Sequence, residues 1–290
     1  MVKAITYLVE NKGDLLFTSL YPAPDKETVI LLHGGPGFPD GLVTVAALLS
    51  GFHQVISFEQ RGTARSPCRS NDYSMEAYVS DIEAIVSYYQ IGRFHLFGHS
   101  WGGLYAQIYA DRHPERLLSL FLCCPGSGTG MVWRQTEKEV LRFNRLQCTS
   151  LEWIKMGLND LMGIFGSDAA YKRLFRQVMS NYNKGFPTKV DTYLGSDHIK
   201  ATPINKTRRQ ILRYPSLKRV CHPGFPITIV YGDHDIYGKS REEVINRYPT
   251  ANIQTLEHCG HFPWIHHPAK FREVMNGHFR NFLIRDCGLS

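Results

Sequence analysis

Phe94-His95-Leu96-Phe97-Gly98-His99-Ser100-Trp101-Gly102-Gly103-Leu104-Tyr105 joins an apolar run to a helical pattern through one serine set between glycines. The residues up to Phe97 read as a buried strand, and Leu104, Tyr105, Ile108 and Tyr109 mark a helix directly after Ser100. A turn this tight holds its serine in a strained backbone conformation. Gly98 and Gly102 leave room for strand and helix to approach each other. A bare Gly-x-Ser-x-Gly arises by chance about 0.1 times in a chain of this composition, so the strand–turn–helix setting is what gives it weight. The plain alternative is a serine that only caps the helix.

Outward from this turn, short β-rich runs alternate with helical ones. Ala4 to Tyr21 alternate in polarity around Asn11-Lys12-Gly13 and read as a hairpin. Thr28–Leu32, Gln54–Phe58, Leu117–Cys123, Ile227–Tyr231 and Asn252–Leu256 read as further strands. Met75, Val79, Ile82, Ile85, Val86 and Tyr89 recur at helical spacing behind Ser74, a possible N-cap. Pro268 opens a last helix with Phe271, Val274, Met275, Phe279 and Phe282 on one face. The alternation predicts an α/β fold with a mostly parallel, doubly wound sheet covered on both faces. From Ser127 to His222 the strand signal stops, and the chain turns helical, aromatic and basic. The expected organisation is a core of residues 1–126 and 223–290, with residues 127–222 inserted as a helical lid.

A serine hydroxyl is a poor nucleophile at neutral pH. It needs a histidine to take its proton and a carboxylate to orient that histidine. Gly232-Asp233-His234-Asp235 follows the strand at Ile227–Tyr231, and catalytic acids in such sheets sit just past strand C-termini. Asp235 leads, with Asp233 as the alternative and more in keeping with a turn or cap. After the last strand His258 and His261 compete, and His261 leads because Gly260 gives its loop freedom to turn the imidazole towards Ser100. His266 and His267 are expected to be exposed, and His99 to point away from the substrate. The run His33-Gly34-Gly35-Pro36-Gly37 can supply a backbone N–H at Gly35 for an oxyanion, and the N–H of Trp101 a second. His33 reads as packing beneath that loop. The run has neither a Walker lysine nor a G-x-G-x-x-G pattern, so it speaks poorly for a nucleotide.

The 290 residues carry seven cysteines with no C-x-x-C pair, which argues against a disulfide scaffold and for a cytoplasmic protein. Met1 to Glu10 does not read as a signal peptide, and no apolar run is long enough to span a bilayer. The net charge of +7 is uneven. Residues 127–222 hold 17 Lys and Arg against 7 Asp and Glu, a balance of +10, which leaves −3 for the remainder. The excess reads either as a solvated surface or as a lid that draws in anionic substrates. No nucleic-acid motif accompanies it.

Four segments together resemble the α/β-hydrolase superfamily: His33-Gly34-Gly35-Pro36-Gly37, Glu59-Gln60-Arg61-Gly62, Gly98-His99-Ser100-Trp101-Gly102-Gly103 and Gly260-His261-Phe262-Pro263. The first three are most similar to its proline iminopeptidase branch. The chain order Ser, Asp, His is the order that superfamily uses. The resemblance covers residues 1–126 and 223–285. It implies a triad carried by Ser100, Asp235 and His261 with an oxyanion hole at Gly35 and Trp101. The chain departs from the branch at Glu59, where an aspartate is usual. It departs also in its basic lid, which lacks the acidic segment that holds a peptide's free amino terminus. Glu137, Glu139, Glu152 and Asp160 are the only acids between Ser127 and Ser167 of that lid.

The expected function is therefore a serine hydrolase cleaving a small ester or amide, with no cofactor, no metal, no nucleic-acid partner and no membrane partner. The sequence leaves the oligomeric state open. Proline iminopeptidase-type, lactone and carbon–carbon bond hydrolysis are alternatives within the same chemistry. A non-catalytic receptor and an acyl transferase are rivals from other classes. Epoxide hydrolase and dehalogenase chemistry is disfavoured, because those enzymes place an aspartate where Ser100 stands.

Overall fold

The computed structural model describes residues 3–191 and 195–285, with side chains as far as Phe279. The side chain of Phe282, read above as part of the last helix's inner face, lies outside the described residues. Strands β1 (Ile5–Asn11) and β2 (Asp14–Tyr21) form the expected hairpin, with Lys12 and Gly13 both at positive φ in the turn. The remaining strands are β3 (Thr28–Leu32), β4 (Gln54–Phe58), β5 (Phe94–His99), β6 (Leu117–Cys123), β7 (Ile227–Gly232) and β8 (Asn252–Leu256). They join into one sheet of order β1-β2-β4-β3-β5-β6-β7-β8, antiparallel at β1/β2 and β2/β4 and parallel everywhere else. Every residue of β3, β5 and β7 is buried. Successive strand side chains point to opposite faces, so burial of all of them means that both faces are covered.

Helices α1 (Val43–Leu49), α2 (Met75–Tyr88) and α3 (Trp101–Arg112) connect the first parallel strands. Ser74 caps α2 as read, its Oγ accepting the Ala77 N–H at 3.2 Å. Met75, Val79, Ile82, Ile85 and Val86 are buried on its inner face. Between β6 and β7, which are neighbours in the sheet, the described residues make four α-helices: α4 (Gly130–Gln147), α5 (Ser150–Ile164), α6 (Asp168–Tyr182) and α7 (Ala201–Arg213). Helices α8 (Arg241–Arg247), α9 (Pro263–His266) and α10 (Pro268–Arg285) complete the chain. Among the described residues no helix is long and apolar enough to cross a membrane.

The Glu59-Gln60-Arg61-Gly62 turn is tied into the core by charge. Arg61 is buried and forks onto Asp81 of α2, with Nε 2.8 Å from Oδ2 and Nη2 2.7 Å from Oδ1. It also donates to the carbonyls of Asp72 and Ala77. Removing one partner of such a pair strands a buried charge, at a cost of about 3–5 kcal/mol. The turn therefore stays where the hairpin, α2 and the following loop all need it.

Candidate active site

The site forms at the C-terminal ends of β3, β5 and β7, where the chain must turn sharply. Ser100 sits between β5 and α3 with φ 55° and ψ −120°. Its strain is held from both sides: its N–H bonds the Cys123 carbonyl at 3.1 Å, and its own carbonyl accepts the Gly126 N–H at 2.7 Å. The flanking glycines are a spatial requirement. A Cβ on Gly102 would fall 2.2 Å from the Leu32 carbonyl oxygen, and one on Gly98 would fall 2.4 Å from that of Gly102. Any larger residue would push helix and strand apart.

Three of the sequence candidates come together. His261 Nε2 lies 2.9 Å from Ser100 Oγ, and His261 Nδ1 lies 3.2 Å and 3.4 Å from the two carboxylate oxygens of Asp235. The Asp235 side chain is fully buried and that of His261 nearly so, whereas Ser100 is partly open to solvent. Aromatic rings close round the imidazole: Tyr237 at 5.3 Å, Phe262 at 5.5 Å and Tyr182 at 5.6 Å between centroids.

The competing candidates are engaged elsewhere. Asp233 accepts the backbone N–H groups of His258 and Cys259, each at 2.9 Å, and pairs with the His234 ring. Burial works to raise its pKa, but the Cys259 N–H, the His234 ring and the His258 N–H hold the carboxyl well below the ordinary range. It ties the β7 turn to the β8 loop, and His258, exposed at positive φ, belongs to that tie. His33 packs under its loop as read: its Nδ1–H donates to the Gly34 carbonyl, and its Nε2 accepts the Gln60 N–H.

Two readings need correction. His266 is buried, because it stacks on Phe186 at 3.9 Å and accepts the Gly260 N–H at 3.2 Å. Gly260 is required for space and not for freedom to swing. A Cβ there would meet the Phe186 ring at 2.8 Å and His266 Nδ1 at 3.0 Å, and its φ is not positive.

Gly34 lies against the nucleophile turn, since a Cβ on it would fall 3.0 Å from Ser100 Cβ and 2.9 Å from His99 Nδ1. Gly35, the next residue, adopts φ 64° above the Phe38 ring. Trp101 is the first residue of α3, where a backbone N–H has no acceptor within the helix. Gln60 links the two, donating to the His33 carbonyl at 2.8 Å and accepting Trp101 Nε1–H at 2.8 Å.

Sequence reasoning missed Tyr237. Its hydroxyl lies 3.2 Å from Ser100 Oγ, and its N–H donates to Asp235 Oδ1 at 2.9 Å. Burial keeps the phenol protonated at any ordinary pH, so it donates to Oγ while the serine hydroxyl donates to His261. No periodicity marks a loop residue two places past an aspartate. The work of His99 was also illegible: its Nε2–H holds the His261 carbonyl at 2.8 Å from beneath. Burial drives its pKa far down, which keeps the ring neutral.

The helices between β6 and β7 reach the site. A Cβ on Gly126 would lie 3.5 Å from the Trp133 ring of α4 and 3.4 Å from the Ser100 carbonyl oxygen, and Tyr182 of α6 faces His261. Of Glu137, Glu139, Glu152 and Asp160, three are committed to structure. Glu137 takes Arg208 in a two-point pair and Trp133 Nε1–H. Glu139 accepts the N–H groups of Gly238 and Ser240, bracing the loop that carries Tyr237. Glu152 closes a capping box with Thr149 at the start of α5. Asp160 is half-buried, and burial raises its pKa against the pull of Arg208.

Among the described residues, Cys124, Asp235 and His261 bring three ligand-type atoms within 4.8 Å of one another. Burial raises the Cys124 thiol pKa far above its usual value, so it stays a thiol, and Asp235 and His261 are already turned to each other. Glu27, His53 and His95 make a similar group at the N-terminal ends of β3, β4 and β5, where His95 Nε2 and Glu27 bond at 2.9 Å.

The family model described as alpha/beta hydrolase fold matches residues 27–268. A proline iminopeptidase of Lactobacillus delbrueckii subsp. bulgaricus is 24% identical over 273 residues, covering 88% of this chain and 90% of that protein. The crystal structure of VinJ superposes with a TM-score of 0.72 at 18% identity, over 96% of this chain and 98% of that one. A proline iminopeptidase of Mycobacterium smegmatis does so with a TM-score of 0.67 at 18% identity, over 94% and 97%. At these identities the structural likeness speaks to the fold.

Proposed function

The chain belongs to the α/β-hydrolase family, and on that premise we propose that it is a serine hydrolase cleaving a small ester or amide through an acyl-enzyme. The observation that carries this reading is the hydrogen-bonded chain from Ser100 Oγ through His261 to the buried carboxylate of Asp235.

Ser100 Oγ attacks the substrate carbonyl while His261 Nε2 takes its proton. Asp235 keeps the Nδ1–H tautomer facing itself and stabilises the imidazolium that forms. The carbonyl oxygen, now an anion, takes the N–H groups of Gly35 and Trp101. His261 then passes its proton to the leaving alcohol or amine. Water enters by the same base and releases the acid. A serine at this turn, where a carboxylate would form an alkyl ester, supports acyl chemistry over epoxide opening.

Residues 127–222 act as the lid of a core made from 1–126 and 223–290, and the approach of Trp133 and Tyr182 to the nucleophile and base supports this. The lid sets the choice among ester, amide, lactone and carbon–carbon bond substrates. A free ammonium entering a closed pocket needs a carboxylate, and Glu137, Glu139 and Glu152 are already satisfied. Neutral or anionic acyl groups are thus the favoured substrates. Iminopeptidase action is the second reading; Asp160 favours it, being the one acid of that group not tied into a turn, a cap or a direct ion pair. Labelling by a fluorophosphonate, lost in Ser100→Ala, tests the chemistry. A panel of acyl esters and aminoacyl amides then separates the substrate readings. A folded chain that neither labels nor hydrolyses any of them would favour the receptor reading.

A further inference from the structure

Helix α5 carries its large apolar side chains on the outside. Leu151, Ile154, Leu158, Leu161 and Met162, with Phe165 at the C-cap, are each at least half exposed, and Phe165 reaches 83%. At about 100° per residue these six fall within one arc of about 100°, a continuous stripe along the helix. Few residues of α5 are fully buried. Met156 and Gly163 are its buried residues, and Gly163 is pressed against the Tyr171 ring. The hydrophobic side of an amphipathic helix normally faces the core, and each buried leucine is worth about 1.5–3 kcal/mol. A contiguous apolar stripe left in water marks a surface that something else covers.

The charges around the stripe indicate what that is. Lys155 is exposed on α5 itself. Arg173 of α6 donates to Asn159 on the flank of α5 at 3.0 Å. Arg145 and Lys184 bond the carbonyls of Cys148 and Gln147, just ahead of α5. Of the acids on the helix, Glu152 is spent in the capping box and Asp160 is half-buried. The whole stretch 127–222 carries the balance of +10.

We infer that this face docks on an anionic phospholipid surface, with α5 lying in the headgroup layer, its apolar stripe at the acyl boundary and its flanking cations against lipid phosphates. A second copy of the chain could cover the leucines, but it would bring two basic rims together. An anionic bilayer answers both the stripe and its rim. The proposed contact departs from the expectation that the chain has no membrane partner. That expectation came from the want of a spanning segment, which says nothing about a helix that lies on the surface.

The test is sedimentation of the full chain with vesicles of phosphatidylcholine alone and of phosphatidylcholine mixed with phosphatidylserine. Binding is read without turnover, so this inference and the hydrolase reading fail separately. The mixed vesicles should bind the chain at least about tenfold more tightly than neutral ones, and added salt should weaken that binding. Lys155→Gln should cost about fivefold. Leu158→Asp with Phe165→Asp replaces two exposed side chains, so its melting curve should match the parent while vesicle affinity falls at least about tenfold. Failure of the parent chain to sediment with mixed vesicles would overturn the inference, as would equal binding by the double variant. A dimer in light scattering that the double variant converts to monomer would assign the face to a second copy and overturn it as well.

Discussion

The hydroxyl of Tyr237 stands 3.2 Å from Ser100 Oγ across 137 residues of sequence. The serine oxygen thus has two partners: His261, which accepts its proton, and Tyr237, which donates to it. Tyr237→Phe keeps the ring and removes only that donor. A neutral hydrogen bond is worth about 0.5–1.5 kcal/mol, so kcat/KM should fall by about tenfold at most. A loss near that of removing His261 would make Tyr237 part of the proton path and contradict the positioning role.

Ser100→Ala should fold normally and lose hydrolysis by about 10³-fold or more. Circular dichroism checks the first half, and turnover of an activated ester the second. Retained labelling by a fluorophosphonate in this variant would remove Ser100 from the mechanism.

Asp235 and Asp233 are two residues apart and have different hydrogen-bond partners. Asp235→Asn should cost about 10⁴-fold in kcat by favouring the wrong tautomer of His261. Asp233→Asn weakens the tie to the His258 and Cys259 N–H groups, so it should lower the melting temperature and leave most of the rate. Steady-state kinetics on both, beside melting curves, would expose a reversed order.

Burial, followed by neighbouring histidines, lowers the pKa of His53 to about 4, of His266 to about 4 and of His278 to about 3. In the unfolded chain each sits near 6.5. Between these values the unfolded state binds more protons, so stability is intact above about pH 6.5 and is lost as the pH falls towards 4. Neither ring nitrogen of His53 has a hydrogen-bond partner among the described residues. His53→Phe should therefore flatten this dependence by up to about 1.4 kcal/mol per pH unit. Urea melts at pH 7 and pH 5 measure the slope, and an unchanged slope in the variant would contradict the assignment.

The committed acids of the helical stretch predict a substrate preference. An N-acylated prolyl anilide should be cleaved with higher kcat/KM than the free-amine prolyl anilide. The opposite result, abolished by Asp160→Asn, would establish the iminopeptidase reading and assign the ammonium to Asp160.

The linear order of residues was enough for the strand–turn–helix at Ser100, the eight strands within about two residues, and the helical stretch before Ile227. These follow from local rules: side-chain periodicity, capping at Ser74, and the space that Gly98 and Gly102 must leave. That Ser100, Asp235 and His261 come together was legible because each sits in a turn after a strand, and the topology of a parallel sheet gathers such turns at one end. Choosing Asp235 over Asp233 rested on spacing, and the contacts each makes are what separate them. The tertiary structure alone decided the parts that depend on approach from another element. Tyr237 meets Ser100, His99 carries the His261 carbonyl, and Gly260 yields its space to Phe186 and His266. It also decided that α5 turns its leucines outward. Periodicity reveals that a helix has an apolar side, but which side faces the core is set by what packs against it, and here Met156 and Gly163 took that place.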